Sequence, residues 1–345
     1  MLKIRTYFYK LTNWEFWNAN FLYIIPTVYL LYLSIKAKSL GFFNATNPSI
    51  KNGGFAMESK MDIYNLIPIQ YYPKTLFFRS NQNFTDVHTE ILKAMLPFPV
   101  VIKPDIGLQG LKVAIINSWV ELANYLNDVK YDFIIQEYID YMHEIGIFYC
   151  KMPKENSGII TGIVYKEYPT VVGNGVSTIN ELIKMDLRLL IHWKIINEIY
   201  GSKLNTILKL GEKFNLISIG NHARGSKFLD ASAWITNKLT YSINQICQQI
   251  PDFYFGRIDI KYKSINDLEM GKDFSIIEIN GAASLPTHMY DPNHSIFYAW
   301  LEIIKHYKIM YKIAIVNHQL GIPYLSFKDV LYMLKEHRNH MNLLK

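Results

Sequence analysis

The sequence predicts an α+β protein in which short strands alternate with capped helices. Two short apolar segments, residues 100–103 and 134–136, have the length and the flanking turn residues of buried strands. Helix-start signals of the Ser/Thr-x-x-Glu type stand between such segments. With 345 residues, of which 50% are hydrophobic and 19% charged, the chain can bury cores in two or three lobes. A disordered or collagen-like polymer is therefore excluded.

The first region of interest is an uncharged stretch of twenty residues, 16–35, that lies between Glu15 and Lys36 and contains Pro26. Its length touches the threshold for a membrane-spanning helix. Basic residues flank both sides, so loop charge sets no orientation. Three alternatives remain open: a helix packed on a lobe, an interfacial helix that makes peripheral membrane contact, and a true span. Residues 41–54, rich in Gly and Asn, follow as a loop.

The remaining elements follow from apolar runs and caps. Ser118 with Glu121, and Thr178 with Glu181, form capping-box patterns that open two of the helices. We predict strands at 100–103, 113–116, 134–136, 144–149, 159–165, 253–261 and 274–279, and helices at 118–127, 179–185, 186–199, 232–250, 294–312 and 327–337. The domain organisation expected is a hydrophobic N-terminal segment at 1–58, a first lobe at 59–140, a second lobe at 141–312 and a C-terminal helical extension at 313–345.

Composition limits the function classes. Lys and Arg number 36 against 29 Asp and Glu, a formal net charge of +7 that suits an anionic ligand. A nucleic-acid binder is not favoured, because no basic run is interleaved with aromatic residues. Cys150 and Cys247 are the two cysteines, which excludes a disulfide framework and a cysteine-built zinc site. A reducing cytoplasm is the expected compartment.

The strongest local signal is a pair of strand sequences in the C-terminal third. Side chains alternate along a strand, so Arg257 and Asp259 share one face, and Glu278 and Asn280 share one face of the second strand. The opposite faces should form an apolar floor, built from Ile258, Ile260, Ile277 and Ile279. If the strands pair, three oxygen-bearing side chains and a guanidinium converge, which is a donor set that Mg²⁺ prefers. Solvated strand ends or a structural Arg–Asp pair are the competing interpretation.

Two upstream segments carry groups suited to a nucleotide. Lys103 ends a strand and precedes a loop with Gly107 and Gly110, whose backbone amides could cradle phosphates. This loop fits neither the P-loop nor the G-x-G-x-x-G pattern. Further on, an apolar strand ends at Glu137, and Glu144 follows seven residues later. Backbone groups there could read an adenine edge, and a carboxylate beyond them could accept ribose hydroxyls.

Taken in order, these motifs resemble the ATP-grasp superfamily, in particular the D-alanine–D-alanine ligase-like carboxylate–amine ligases. A second stretch, residues 172–182 (VGNGVSTINEL), is similar to a segment of cyanophycin synthetase and related peptide-bond-forming members. The resemblance covers about residues 58–312. It implies two α+β lobes that clamp ATP between them, with a short hydrophobic segment in front. It also implies amide or peptide-bond formation through an acyl phosphate.

The resemblance assigns roles by position. Lys60 and Lys103 would contact phosphates, and the loop with Gly107 and Gly110 would close over them. The adenine hinge and ribose contact would come from Glu137, Tyr138, Ile139 and Glu144, and the magnesium ligands would be Asp259, Glu278 and Asn280. Arg257 and Lys103 would act in catalysis. The cofactors implied are ATP and two Mg²⁺ ions, for which Mn²⁺ is a substitute. Gly281, after Asn280, leaves room for close backbone approach.

The acceptor site is less determined by sequence. Residues 281–288 (GAASLPTH) depart from the pattern that follows the metal-binding Asn in these ligases, and the N-terminal segment is shorter than their preceding domain. Candidate substrate residues are His222, Arg224, His288 and Tyr290, with a solvated turn as the alternative for the first two. The expected substrates are a small carboxylate and an amine of amino-acid or peptide-like type. A phosphotransferase and a non-catalytic nucleotide-binding module remain the alternative functions.

Overall fold

The computed structural model describes residues 2–107, 110–217, 220 and 222–344, without the side chains of Leu2, Lys3 and Ala223. Within these ranges the α+β prediction is confirmed, and the sheets are antiparallel. The N-terminal region forms α1 (Leu2–Thr12), α2 (Ala19–Leu22) and α3 (Ile24–Ala37), and α4 (Lys60–Leu66) follows a series of short turns. No helix among the described residues is long and apolar enough to cross a membrane.

The first sheet has four strands, in the order β1-β4-β2-β3. These are β1 (Thr75–Phe78), β2 (Val100–Pro104), β3 (Ala114–Ile116) and β4 (Phe133–Glu137). Helices α5 (Phe84–Lys93) and α6 (Trp119–Leu126) bury Val87, Ile91 and Leu122 in the core of this sheet. Lys103, near the end of β2, is not part of this apolar core, so its side chain is available on the opposite face of the sheet.

The second sheet has five strands, in the order β11-β10-β5-β6-β9. These are β5 (His143–Cys150), β6 (Ile159–Glu167), β9 (Lys227–Asp230), β10 (Phe255–Tyr262) and β11 (Phe274–Asn280), and a two-stranded sheet pairs β7 (Thr170–Val172) with β8 (Lys213–Asn215). The intervening helices are α7 (Ile179–Met185), α8 (Leu187–Ile191), α9 (Trp193–Tyr200), α10 (Asn237–Cys247) and α11 (Ile265–Glu269). Helix α10 closes the apolar side of the large sheet.

Two long helices complete the chain, α12 (Ile296–Gln319) and α13 (Phe327–Leu343). Helix α12 packs on α3, and Leu33 of α3 shares a core with Met310 and Ile313 of α12. Of the alternatives open for residues 16–35, the structure therefore contains a lobe-packed helix, which starts at Ile24. Pro26 stands in its first turn, where the missing N–H removes no intrahelical hydrogen bond.

Most predicted elements are present with shifted ends, and one is broken. The helix expected over 186–199 is divided into α8 and α9 at His192, whose backbone leaves the helical conformation. The capping box of Thr178 and Glu181 is complete. At α6 the Ser118 hydroxyl accepts from the Glu121 amide, but the Glu121 carboxylate accepts from Asn117 instead of Ser118. Cys150 and Cys247 are free and buried.

Candidate functional site

The two strand sequences of the C-terminal third pair as predicted. In the antiparallel register of β10 and β11, Arg257 lies opposite Asn280 and Asp259 lies opposite Glu278. A register shift follows Asp259, so that Ile277 has no direct partner. Because of this irregularity Ile277 lines the polar side, and the expectation that it belongs to the apolar floor is wrong. The floor consists of Ile258, Ile260, Ile276 and Ile279, all buried.

Asp259 sits in a buried network of charges. Arg257 donates from Nε to Oδ1 of Asp259 at 2.8 Å, and Lys166 Nζ lies 3.3 Å from Oδ2. Lys166 also donates to Oε1 of Glu144 at 2.7 Å, and Tyr168 donates to the second oxygen of Glu144 at 2.6 Å. Burial alone would raise the pKa of Asp259, but Arg257 and Lys166 outweigh it and hold that pKa below its ordinary value. The carboxylate is therefore ionised in the folded protein.

Two lysines reach the same region from the first lobe. Lys60 Nζ lies 3.4 Å from Oε1 of Glu278 and donates to the carbonyl of Gly107 at 3.3 Å. Lys103, at the end of β2, is buried and donates to the Tyr64 hydroxyl and to the Ile277 carbonyl, each at 3.1 Å. Burial lowers the pKa of Lys103 to about 8, because the interior penalises its charged form.

The predicted hinge and glycine loop lie beside these lysines. Lys261 donates to the carbonyl of Ile139 at 2.9 Å, and its ammonium stands 5.1 Å from the ring centre of Tyr138. The amide of Glu137 donates to the Lys74 carbonyl at 2.9 Å. Gly107 and Gly110 line the same space, whereas Leu108 and Gln109, which complete the predicted loop, lie outside the described residues.

These groups surround one cavity of about 440 Å³ between the two sheets. That volume lies within the range of small-molecule sites. The structure brings most of the predicted residues into its lining: Lys60, Lys103, Gly107, Gly110, Glu137, Tyr138, Ile139, Glu144, His222, Arg257, Asp259, Glu278, Asn280 and Tyr290. Gly281 allows the backbone at residues 53 and 54 to approach closely, since a Cβ on it would lie 2.6 Å from the Gly53 carbonyl oxygen.

The N-terminal segment forms one wall of the cavity, which the sequence did not indicate. Tyr23 lines the cavity, and its hydroxyl contacts that of Tyr290. The Tyr290 ring stacks between Trp14, at 5.6 Å, and His222, at 5.0 Å. Behind this wall Glu15 is buried, and its carboxylate lies 2.7 Å from Arg188 and 2.8 Å from the His222 ring, which anchors the segment. Long-range contacts of this kind leave no local pattern in the sequence.

Three buried polar atoms of residues that line the cavity lack a hydrogen-bond partner among the described residues. They are Nδ2 of Asn280, Oε2 of Glu58 and Oγ1 of Thr287. Burial raises the pKa of Glu58, while Lys60 opposes the shift. Buried polar atoms are normally paired, so these three are available to a bound ligand.

Other predicted residues lie elsewhere or act indirectly. His288 is buried beneath β6, 3.4 Å from Glu302, and does not line the cavity. Arg224 donates from Nη2 to the Gly110 carbonyl at 2.7 Å and so links the second lobe to the glycine loop. The segment 172–182 belongs to the subdomain formed by β7, β8 and α7–α9, away from the cavity lining.

Sequence reasoning also missed Lys166, Tyr168, Tyr64 and Glu58. Lys166 falls one residue beyond the predicted end of the strand at 165, whereas β6 continues to Glu167. Extending the alternation of that strand would have placed Lys166 on the same face as Val164, toward the charged network. Glu58 carried no periodic signal, because it precedes the first turn of α4 in a loop.

The sheets and the cavity between them define an α+β fold of the ATP-grasp type. Residues 61–150, which run from α4 to the end of β5, match the model of the RimK-like ATP-grasp domain. This match confirms the resemblance to the ATP-grasp superfamily. No curated protein sequence matches the chain.

Several solved structures are similar in fold. One is a bifunctional glutathione synthetase from Pasteurella multocida, with a TM-score of 0.40 and 14% identity over 76% of this chain and 37% of that one. VanG D-Ala:D-Ser ligase from Enterococcus faecalis has a TM-score of 0.42 and 14% identity over 73% of this chain and 61% of that one. D-alanine–D-alanine ligase from Bacillus anthracis has a TM-score of 0.42 and 14% identity, covering 76% and 69%.

Proposed function

We propose that this chain is an ATP- and Mg²⁺-dependent carboxylate–amine ligase that forms an amide or peptide bond through an acyl phosphate. One observation carries the proposal: two lysines and a glycine loop from the first lobe meet a carboxylate–amide pair from the second lobe in a single cavity. Cations and backbone donors suit a triphosphate, and the oxygen ligands suit its metal. The match of residues 61–150 to an ATP-grasp domain supports the same assignment.

In this proposal the nucleotide lies along the first-lobe side of the cavity. Lys60 and Lys103 face the phosphates as cations, and Gly107 and Gly110 border them. Backbone groups of Glu137, Tyr138 and Ile139 would border the adenine. Glu144 would accept the ribose hydroxyls with lone pairs beyond those used by Lys166 and Tyr168, because a carboxylate offers about four acceptor positions.

The side chains that would hold Mg²⁺ fit this ion. Nδ2 of Asn280 has no hydrogen-bond partner among the described residues, so the amide can rotate to direct its oxygen to a metal, and Lys60 Nζ lies 3.4 Å from Glu278. Asp259 accepts hydrogen bonds from cations but keeps further lone pairs. The set is all oxygen, which is the chemistry that Mg²⁺ prefers. When bound, the ion would offset charge as the substrate carboxylate approaches the triphosphate.

The chain's own residues would then position and shield the reaction. The substrate carboxylate attacks the γ-phosphorus, ADP leaves, and an amine displaces phosphate from the acyl phosphate. Arg257, fixed by two hydrogen bonds to Asp259 at 2.8 and 3.2 Å, would stabilise the negative charge of the tetrahedral intermediate. Lys103 would do the same at the transferring phosphate. The loop held by Arg224 would keep water from the acyl phosphate.

The acceptor side of the cavity faces the N-terminal wall. Tyr23, Tyr290 and His222 present aromatic surfaces with polar tips there, next to Ser284. Such a surface suits a small amino-acid or peptide-like substrate and offers no groove for a nucleic acid. A dependence on ATP is in keeping with action in the cytoplasm.

The test is ADP release from the full chain with Mg²⁺ and panels of amino acids, dipeptides and hydroxy acids, followed by mass analysis of products. We expect ADP to require both a carboxylate and an amine, and ¹⁸O in the carboxylate to appear in the released phosphate. Glu278→Gln should abolish turnover, whereas Glu167→Gln, at the solvated end of β6, should leave it unchanged.

Other outcomes would point elsewhere. ADP formation with a hydroxyl substrate and no transfer of ¹⁸O would identify a phosphotransferase. Unchanged turnover in Glu278→Gln would remove the basis for the assigned metal site. A chain that binds Mg²⁺–ATP but releases ADP with none of the substrate pairs, and whose biological effect survives Glu278→Gln, would be a nucleotide-binding module.

A further inference from the structure

Helix α3 presents a row of exposed apolar side chains to the outside of the molecule. Ile24, Val28, Leu31 and Ile35 follow one another at helical spacings of four, three and four residues. Each is between 51% and 78% exposed. Their buried counterparts on the other side of α3, such as Leu33, already supply the packing of this helix. The outer row therefore contributes little to folding and stands uncovered.

Helix α12 extends this row sideways. It runs parallel to α3, since Trp300 donates to the Leu22 carbonyl at 2.8 Å near one end and Lys36 stands 5.7 Å from the ring of Tyr311 near the other. Phe297 and Leu301, each 66% exposed, lie on one stripe of α12. A shallow hollow joins the two helices, lined by Ile24, Ile25, Val28, Tyr29, Tyr32 and Ile304. We call this surface the α3–α12 face.

The exposed charged side chains that α3 and α12 contribute beside the α3–α12 face are basic. Lys308 and Lys312 continue the exposed stripe of Phe297 and Leu301 toward the end of α12, and Lys36 and Lys38 close α3. Along the chain no Asp or Glu stands between Glu15 and Glu58. Glu302, the acidic residue of α12, turns inward to His288 at 3.4 Å. Residues 1–38 carry a net +4 and α12 a net +2, which together are 6 of the formal +7 of the chain.

We propose that the α3–α12 face docks on an anionic lipid bilayer. Aliphatic side chains would enter the boundary between headgroups and acyl chains, and the lysines would meet anionic headgroups. The 14 residues of α3 extend only ~21 Å, which favours a helix lying along the surface.

A protein partner fits less well than a bilayer. Protein interfaces carry about one hydrogen bond per 100–200 Å² and a polar rim. The outer row of α3 offers no side-chain donor or acceptor except the Tyr32 hydroxyl and Thr27, and its rim is basic. Contiguous exposed apolar side chains with a polar rim mark an interaction site.

The experiment is co-sedimentation of the full chain with vesicles of phosphatidylcholine alone or mixed with phosphatidylglycerol. We expect binding to the mixed vesicles, weakened by salt because the electrostatic part is screened. Ile35→Glu should reduce partitioning at least ~10-fold, since a carboxylate would face both apolar boundary and anionic headgroups. Its matched control is Ile69→Glu, because Ile69 is 80% exposed against 78% for Ile35 and lies in a turn beside β11.

A second pair of variants tests the contribution of the basic residues. Lys308→Glu with Lys312→Glu should abolish the preference for phosphatidylglycerol, and Lys130→Glu with Lys272→Glu should preserve it. Thermal unfolding by circular dichroism confirms that each variant folds. Equal sedimentation of Ile35→Glu and Ile69→Glu would overturn the proposal. So would a concentration-dependent dimer, seen by light scattering and lost in Ile35→Glu, in a chain that does not bind vesicles. Nucleotide binding is expected to be unaffected, so this result is separate from the proposed ligase activity.

Discussion

At the scale of single residues, Lys166 shows how the site holds several charges out of water. Its ammonium lies between two buried carboxylates, 2.7 Å from Glu144 and 3.3 Å from Asp259. Burial alone would lower the pKa of Lys166, but these two partners outweigh it and raise that pKa above its ordinary value. The lysine therefore compensates both acids across β5, β6 and β10.

Replacing Lys166 should lower the free energy of unfolding by much more than the loss of its own contacts would. In Lys166→Met two buried carboxylates lose a counter-charge, and breaking a buried pair costs about 3–5 kcal/mol of unfolding free energy. Urea denaturation monitored by fluorescence measures this loss. The control is Lys227→Met, whose ammonium lies 3.9 Å from the exposed Glu167. That pair should contribute roughly 0–1 kcal/mol. Equal losses in both variants would contradict a central role for Lys166.

In the proposed function, Lys103 would provide a pH-dependent contact to the triphosphate. Since burial lowers its pKa to about 8, the ammonium loses its proton as pH rises from 7 to 9. We expect ATP affinity, measured by calorimetry, to fall across this interval in the wild type. Lys103→Arg stays charged because a guanidinium does not deprotonate in this range, so its profile should be flat. Lys272→Arg, an exposed substitution, should keep the wild-type profile, and parallel curves for all three proteins would exclude Lys103 as the titrating group.

At the scale of elements, the N-terminal segment is fastened by one buried carboxylate. Glu15 accepts from Arg188 at 2.7 and 3.1 Å and from His222 at 2.8 Å. Burial alone would raise the pKa of Glu15, but hydrogen bonds from His222 and Arg188 bring it below the ordinary value of 4.5. These contacts join residues 173 and 207 positions apart in the sequence, between the short turn at Trp14–Phe16 and the second lobe.

Glu15→Gln should destabilise the protein in a pH-dependent way. A carboxyl whose pKa is depressed by folding stabilises the native state above its unfolded pKa, so the full effect of about 3 kcal/mol is present at pH 7. The difference between wild type and variant should shrink as pH falls below about 4.5. His192 also titrates at low pH, because burial lowers its pKa to about 4, and Glu15 acts on that pKa, so the comparison is made with His192→Gln present in both proteins. A difference that is constant with pH would contradict the assignment.

The elements also show what sequence can and cannot predict. The pairing of β10 with β11 followed from local alternation, and so did the shared face of Arg257 with Asp259. The irregularity that turns Ile277 toward the cavity depends on how the two strands match, which neither strand encodes alone. Similarly, the aromatic wall of Trp14 and Tyr23 arises from tertiary contacts with Tyr290. Local patterns therefore predicted the strands and many of the residues that line the cavity, and missed the side of the cavity that depends on distant segments.

At the scale of the whole molecule, three distant parts hold the glycine loop by its carbonyls. His340 of α13 contacts the Ile106 carbonyl at 2.7 Å, Lys60 of α4 donates to Gly107 at 3.3 Å, and Arg224 of the second lobe donates to Gly110 at 2.7 Å. The position of the loop therefore depends on the relative placement of both lobes and the C-terminal helix. Of the three contacts, the one from Arg224 alone joins the loop to the second lobe.

Loss of the Arg224 contact should open the loop without unfolding either lobe. Arg224→Met keeps the apolar stem and removes the donors, and a charge-assisted hydrogen bond of about 1.5 kcal/mol corresponds to a roughly tenfold larger open fraction. Trypsin should then cut faster at Lys112, which is exposed beside the loop, because cleavage follows the open population when reclosing is fast. Arg79→Met, which removes a surface contact to Asp132 at 3.7 Å, is the control and should leave the rate unchanged. In the proposed reaction the same opening would admit water to the acyl phosphate, so Arg224→Met should release more ADP per bond formed. An unaltered trypsin rate would mean that the loop is held by α4 and α13 alone.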